Sequence, residues 1–324
     1  MKSNILVIGA GSIGNHFTNA FLSISKKYNL FITDISELAL LRMKNEIFFQ
    51  RYGYWHNSIN LVEINNLKNI EDLKFEFIII GTPPFSHADV FKKIVKNLSY
   101  QKLIIEKPLH SFKQSIKINE NKLIFCGYNH SVSDSFVFFK NRIKNLKKID
   151  LIEVNWREGW GGILKAHFWL KNEFSSYLGN FEAGGGALHE HSHGLHLSLY
   201  IMKILNIKPK KRSYNVSFKS NNKVKYDNYS SIHFYDNKKQ LKLIYQTDLV
   251  SEDVDKSVII HSENRKFVWR CNYKPGYDFV STINSKSQKS NDKFFKKDRS
   301  KDFIDEISHI KKINKLSHYK NSPL

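Results

Sequence analysis

The sequence predicts an α/β N-terminal domain built on a parallel sheet, followed by an α+β C-terminal domain with an open-faced, mainly antiparallel sheet. Three observations carry this. Up to about residue 130, short apolar runs alternate with segments of helical periodicity, the rhythm of a parallel sheet covered on both faces. A glycine-rich turn, Gly9-Ala10-Gly11-Ser12-Ile13-Gly14, stands between the first apolar run and the first helical segment. From residue 212 onward, strand-like runs follow one another without helices between them, which suggests antiparallel pairing. The expected division is 1–130 and 131–324.

Taken in order, residues 4–9 are an apolar strand ending in glycine. Residues 12–27 place Ile13, Phe17, Phe21 and Ile24 near helical spacing. Residues 30–33 read as a second strand and 36–49 as one helix with Ser36 as N-cap. Residues 75–81 (Phe-Glu-Phe-Ile-Ile-Ile-Gly) are a buried strand; a helix at 90–98 and strands at 103–106 and 122–127 follow. Residues 149–156 alternate like a strand with one solvated face. Residues 184–205 open on glycines and continue as a long helix. Strands are expected at 213–219, 231–235, 240–246, 257–261 and 266–270. Residues 283–300, rich in Ser, Lys, Asn and Asp, read as a loop, and 301–313 as a closing helix.

The 324 residues suffice for two buried cores. No apolar run approaches the roughly 18–20 residues that span a bilayer. The first residues lead directly into a strand, with nothing that reads as a secretory leader, so a cytoplasmic protein without a membrane partner is expected. Cys126 and Cys271 are the only cysteines, too few for a disulfide framework or a thiolate metal site. Cys126, in an apolar run, reads as a small buried hydrophobe. The net charge of +21 is spread along the whole chain, without an arginine-rich arm or a nucleic-acid module, so no nucleic-acid partner is expected.

The glycine turn has the context of a dinucleotide-binding Rossmann motif: it follows a strand and opens a helix. Gly9 permits the tight turn, Gly11 lets the backbone approach a pyrophosphate, and Gly14 allows close helix–strand packing. Ser12 and Ile13 open the helix whose N–H groups face the phosphates. Asp34, twenty residues after Gly14, suits the adenine-ribose hydroxyls and would repel a 2′-phosphate, which favours NAD over NADP.

Three further segments occur in order: Gly81-Thr82-Pro83-Pro84 with His87; Glu106-Lys107-Pro108; and Gly184-Gly185-Gly186-Ala187-Leu188 leading into Glu190 and His193. With the N-terminal glycines, this pattern resembles the glucose–fructose oxidoreductase and inositol dehydrogenase family (Gfo/Idh/MocA) from residue 4 to about 205. The resemblance implies an NAD(P)-dependent oxidoreductase acting on a sugar, sugar nucleotide or polyol, with surface-polysaccharide biosynthesis as a setting, and a homo-oligomer, dimer or tetramer. It implies that Thr82, Pro83 and His87 line the cofactor, that Glu106 and Lys107 sit beside the nicotinamide ribose and the reacting carbon, that Asn129 and His130 reach the cofactor–substrate boundary, and that His193 moves the proton with Glu190 as its acidic neighbour. Two departures stand out. The family commonly has Asn where Pro84 stands, and many members have an aspartate four residues before the histidine, where this chain has His189.

The chemistry follows from residue types. Oxidising an alcohol removes a hydride, which the cofactor takes, and a proton, which the protein must take. A histidine titrating near neutrality suits that task, and Lys107 offers positive charge to the developing alkoxide. On one helix, residues 189, 190 and 193 share a face. Tyr128, His130, Trp156, Arg157 and His189, with Trp160, are expected substrate contacts: rings stack on sugars, and arginine grips phosphate or carboxylate.

Two other readings compete. His189-Glu190-His191-Ser192-His193 is literally a His-Glu-x-x-His motif, the signature of a zinc hydrolase when it lies on a helix, but it leaves the nucleotide pattern unexplained, and no metal is expected. A non-catalytic NAD- or sugar-binding regulator on the same fold leaves Lys107 and His193 without a task.

Overall fold

The computed structural model describes residues 3–25, 27–118, 122–298, 300–314 and 322–324. They fall into two compact units. One runs to Asn129 and takes in the C-terminal helix; the other runs from His130 to Asp298 and includes Pro323. The expectation of a single domain over 131–324 is therefore corrected at its end. Phe303, Ile307 and Ile310 of the closing helix are buried in the first unit's core, and their apolar spacing explains why.

The first unit is a six-stranded parallel sheet of β1 (Ser3–Ile8), β2 (Tyr28–Asp34), β3 (Ile59–Glu63), β4 (Lys74–Ile80), β5 (Ser99–Ile105) and β6 (Leu123–Cys126), in the order β3-β2-β1-β4-β5-β6. Along β1, Ile5 and Val7 enter one core and Leu6 and Ile8 another, which accounts for the uninterrupted apolar runs. Helix α1 (Ser12–Ile24) crosses from β1 to β2. The predicted helix at 36–49 is instead three pieces: α2 (Glu37–Arg42), a π-helical turn (Met43–Ile47) and α3 (Phe48–Tyr52). Ser36 caps it by accepting from the Ala39 N–H, and Gly53, at φ 76°, ends it. Helix α4 (His87–Asn97) joins β4 to β5. The strand order reverses between β1 and β4, and ligands of such sheets bind outside the carboxyl ends of the strands at that switch point.

The second unit contains α5 (Asp134–Ile143), β7 (Leu151–Arg157), α6 (Trp160–Ala166), α7 (Ala187–Glu190) and α8 (Ser192–Ile204). Seven strands follow: β8 (Lys211–Ser220), β9 (Lys225–Tyr235), β10 (Leu241–Asp248), β11 (Asp255–Ser262), β12 (Arg265–Lys274), β13 (Tyr277–Asn284) and β14 (Ser290–Lys296). The sheet order is β14-β13-β12-β11-β7-β10-β9-β8, with β7–β10 parallel and every other pair antiparallel. Phe136 and Phe139 of α5 and Leu197 and Ile201 of α8 cover one face, packing with Ile152, Val154 and Trp156. The loop expected at 283–300 is corrected: β14 lies within it. A strand at a sheet edge is exposed along its length and tolerates polar residues and lysines, which is why its composition read as a loop. The closing helix is α9 (Lys301–Lys311). Among the described residues, no helix is long and apolar enough to cross a membrane.

Candidate functional site

The glycine turn lies at the switch point of the first unit. The Gly9 N–H donates to Thr33 O (2.8 Å) and the Gly81 N–H to Ile8 O (2.8 Å), which brings the ends of β1, β2 and β4 together. A Cβ on Gly9, at φ +108°, would stand 2.6 Å from Gly81 O, and one on Gly14 would stand 1.9 Å from Gly9 O. The protein itself therefore requires both glycines. A Cβ on Gly11 would meet nothing within 4 Å, so no protein packing demands glycine there; an approaching ligand would. Gly11 is the N-cap of α1 and supplies no side-chain cap, and no carboxylate occupies the first turn. The helix tip is thus left to an anion. Two supports were not read from the sequence. Asn15, fully buried, donates from Nδ2 to Gly11 O (2.7 Å) and Ala10 O (3.2 Å), and Arg51 donates to Ser12 Oγ (2.9 Å).

At the end of β2, Asp34 accepts from the Ala10 N–H at Oδ2 (2.8 Å) and from the Ser36 N–H at Oδ1 (2.9 Å). Each oxygen keeps further acceptor capacity, so the carboxylate is held beside the glycine turn and can still take ribose hydroxyls. Ile35, next to it, is exposed. Thr82 Oγ1 accepts from Ser86 Oγ–H (2.8 Å) beside Pro83. His87, expected to line the cofactor, is fully buried; its Nε2 lies 2.7 Å from Thr82 O and its Nδ1 3.1 Å from Leu109 O. Burial lowers its pKa below the usual imidazole value against the pull of these carbonyls. Both nitrogens face main-chain carbonyls, so His87 is turned toward the Thr82 and Leu109 backbone.

Glu106 follows β5 and is buried; its Oε2 accepts from the Lys107 N–H (3.0 Å), and its Oε1 lies 2.5 Å from where a Gly127 Cβ would stand. Lys107 and Tyr128 are half-buried. Asn129 is buried, and its Oδ1 has no hydrogen-bond partner among the described residues, a cost that a bound polar group would relieve. The open side of Gly11, the uncapped helix tip, the oriented Asp34 and this Asn129 oxygen together fit a dinucleotide.

The second unit gathers a ring cluster. His193 meets His130 edge-on, with ring centroids 4.6 Å apart, and both pack on Trp156, at 5.7 and 5.1 Å. Cys271 Sγ lies 3.7 Å from His130 Nδ1 and accepts from Lys297 Nζ (3.4 Å). Two expectations are corrected. The chain is not one helix across the His-Glu-x-x-His stretch: α7 ends at Glu190, and His191, at φ −98° and ψ 23°, separates it from α8. The helical-face argument for residues 189, 190 and 193 therefore does not hold, nor does the zinc-hydrolase geometry. His189 instead packs on Phe181 with Nδ1 2.9 Å from Gly185 O. The second correction concerns Arg157. Strand alternation turns it away from Trp156, and its Nε donates to buried Asp248 (2.5 Å). Burial alone would raise the Asp248 pKa, but the bonds from Arg157, Ser251 and Val250 hold it below the usual carboxylate value. Arg157 thus belongs to the opposite face of the sheet from the ring cluster. Trp160 donates from Nε1 to Tyr226 OH (3.0 Å).

The triple glycine has a packing cause. A Cβ on Gly185 would stand 2.1 Å from Tyr177 O, and one on Gly186, at φ +91°, 2.0 Å from Asp227 Oδ1.

Residues 3–121 match the model of an oxidoreductase family with an NAD-binding Rossmann fold, Gfo/Idh/MocA. No curated protein matches the chain. Among solved structures, the chain is similar to a levoglucosan dehydrogenase in complex with NADH and L-sorbose, at 12% identity and TM-score 0.68, over 98% of this chain and 91% of that one. It is similar to a UDP-N-acetylglucosamine 3-dehydrogenase from Acidithiobacillus ferrooxidans at 10% identity and TM-score 0.63, over 99% and 90%. It is also similar to a biliverdin reductase from Synechocystis in complex with biliverdin and NADP+, at 10% identity and TM-score 0.64, over 98% and 90%. At such identities the likeness is one of fold.

Proposed function

We propose that the chain, whose residues 3–121 match the model of the Gfo/Idh/MocA oxidoreductase family, belongs to that family and transfers a hydride between NAD and a hydroxyl or carbonyl carbon of a sugar, sugar nucleotide or polyol. The observation that carries the proposal is the glycine turn, whose middle glycine the protein has no packing reason to keep. NAD, when bound, supplies the hydride acceptor or donor. The chain's own residues do the rest. Gly9, Gly11, Ser12, Ile13 and Gly14 receive the diphosphate at the α1 tip, and Asp34 takes the adenine-ribose hydroxyls. The stretch Asp34-Ile35-Ser36-Glu37 has two carboxylates and no cation, which favours NAD over NADP. Thr82, Pro83, Glu106 and Asn129 line the nicotinamide half. Lys107 offers its ammonium to the substrate oxygen, and His193, edge-on to His130, moves the proton, with Glu190 and His189 on the preceding turn. Tyr128 and Trp156 are the aromatic side chains this reading assigns to substrate stacking.

The reading includes a homo-oligomer. It also places the protein in the cytoplasm, where Cys126 and Cys271 stay reduced.

The test is direct. Purified protein is given NAD or NADP with a panel of hexoses, uronic acids, polyols and nucleotide sugars, and reduced nicotinamide is followed by absorbance. NAD-dependent turnover with at least one of them is expected. Replacement Lys107→Ala should lower kcat by about 10²–10³-fold, as loss of a preorganised charge donor does, and leave NADH affinity within a few-fold. Binding of NAD without turnover on any substrate overturns the catalytic reading.

A further inference from the structure

We propose that Asp227 is a positioning residue for this reaction, its buried carboxylate fixing the turn that carries His189 and Glu190. The catalytic half of the assignment rests on the function proposed above; the structural half does not.

Asp227 lies in β9 and is 1% exposed. A carboxylate enclosed in this way is costly unless it is bonded. Its Oδ2 accepts from the Leu188 N–H (2.8 Å) and from Ser230 Oγ–H (2.7 Å). Leu188 is in the first turn of α7, where backbone N–H groups have no intrahelical partner. The N-cap of α7 is Gly186, which has no side chain to offer. Asp227 therefore caps the helix from a neighbouring strand. Its Oδ1 makes no hydrogen bond among the described residues and fills the space a side chain at 186 would take, 2.0 Å from the Cβ position. The aspartate thus requires the third glycine, which its own φ of +91° demands as well.

Two more strand side chains hold the same turn. Thr247 Oγ1 donates to Ala187 O (3.2 Å), and Tyr245 OH donates to His191 O (2.9 Å). Both ends of α7 are pinned to the sheet, with Asp227 supplying the only charge among the three. The chemical consequence falls on His189. With Gly185 held in place, His189 Nδ1–H donates to Gly185 O (2.9 Å), which leaves Nε2 as the basic nitrogen. Burial raises the pKa of Asp227 against the lowering pull of the Ser230 and Leu188 bonds and of nearby His189, so those bonds offset the cost of enclosing the carboxyl group.

The experiment compares Asp227→Ala, Asp227→Asn and Gly186→Ala in the full chain. Hydrogen–deuterium exchange of the 184–193 segment, NADH affinity and steady-state turnover are measured. Asp227→Ala and Gly186→Ala should each speed exchange in that segment by about tenfold or more, the loss of one bond to a charged acceptor. NADH affinity should stay within a few-fold, and kcat should fall with little change in KM for NAD. Asp227→Asn keeps an acceptor oxygen and should restore most of the protection and most of the turnover. It also serves where Asp227→Ala does not fold. Unchanged exchange in Asp227→Ala, or an asparagine variant no better than alanine, overturns the assignment. A wild-type protein that turns over no substrate defeats the redox reading alone, and the exchange comparison still decides whether Asp227 fixes the turn.

Discussion

Three glycines of one turn answer to different demands, and this makes them separable by substitution. Gly11 has φ −75° and ψ −161°, a conformation open to any residue, and free space where a Cβ would stand. Gly11→Ala should leave the melting temperature unchanged or slightly higher, since a compatible Gly→Ala exchange stabilises by about 0.4–1 kcal/mol, while weakening NADH by about tenfold or more through crowding of the diphosphate. Gly14→Ala drives a Cβ to 1.9 Å from Gly9 O and should unfold or grossly destabilise the first unit. Thermal unfolding and fluorescence titration with NADH check both. A Gly11→Ala protein with native NADH affinity would remove the main support for the dinucleotide site. These three glycines and Asp34 were legible in the sequence because each is required by a local event: a turn, a close approach, a strand end. Arg51 and Asp227 were not, because their partners are fixed only by the fold; Asn15 was not either, although Ala10 and Gly11 are only five and four residues away, because an asparagine within a helical segment does not show in sequence where its amide turns. Asp227 is thirty-nine residues from Leu188 in sequence.

Elements show the same division between local and distant causes. Five of the six parallel strands could be read because burial on both faces leaves an unbroken apolar run, as in Ile78, Ile79 and Ile80, whereas β3, at the sheet edge and largely uncovered, was not read. Strand β14 could not, since an edge position removes that signal. The break at His191 escaped as well: no proline or glycine stands at that point, and the Tyr245 hydroxyl that donates to His191 O comes from a distant strand. Helix α9 shows an energetic cost invisible in sequence. Its Glu306 is fully buried, and neither carboxylate oxygen has a hydrogen-bond partner among the described residues. Burial first, then Glu106 and Asp302, push its pKa well above the usual carboxylate value. The folded protein therefore holds a proton that the unfolded chain releases near pH 4.5. Stability from this group is fully present below that value and is lost as pH rises through the folded pKa. Glu306→Gln should accordingly raise the urea midpoint, and raise it more at neutral pH than near the ordinary glutamate pKa of about 4.3. An equal gain at both pH values, or a loss at neutral pH, would contradict the buried, protonated carboxyl.

At the scale of the whole molecule, the open question is what the charge of +21 and pI of about 9.7 are for. Diffuse positive charge attracts any polyanion, and NADH is itself anionic, so affinity alone does not identify a partner. Salt separates the possibilities. Binding that works by counterion release from a polyanion loses about 10³–10⁵ in affinity between low and physiological salt when six to ten phosphates are engaged. A dinucleotide held at a helix tip, with a carboxylate on its ribose, depends on short-range bonds that are screened much less. Ligand binding to the folded state alone stabilises it by about 2.7 kcal/mol at a hundredfold excess over Kd. NADH at that excess should therefore raise the unfolding temperature by a similar amount at low and at physiological salt, and NADPH should raise it less if Asp34 takes the adenine-ribose hydroxyls as proposed, since its carboxylate would repel a 2′-phosphate. Duplex DNA should shift it at low salt only. A DNA-induced shift that survived physiological salt while the NADH shift disappeared would mean that the basic surface, and not the glycine turn, is the seat of function.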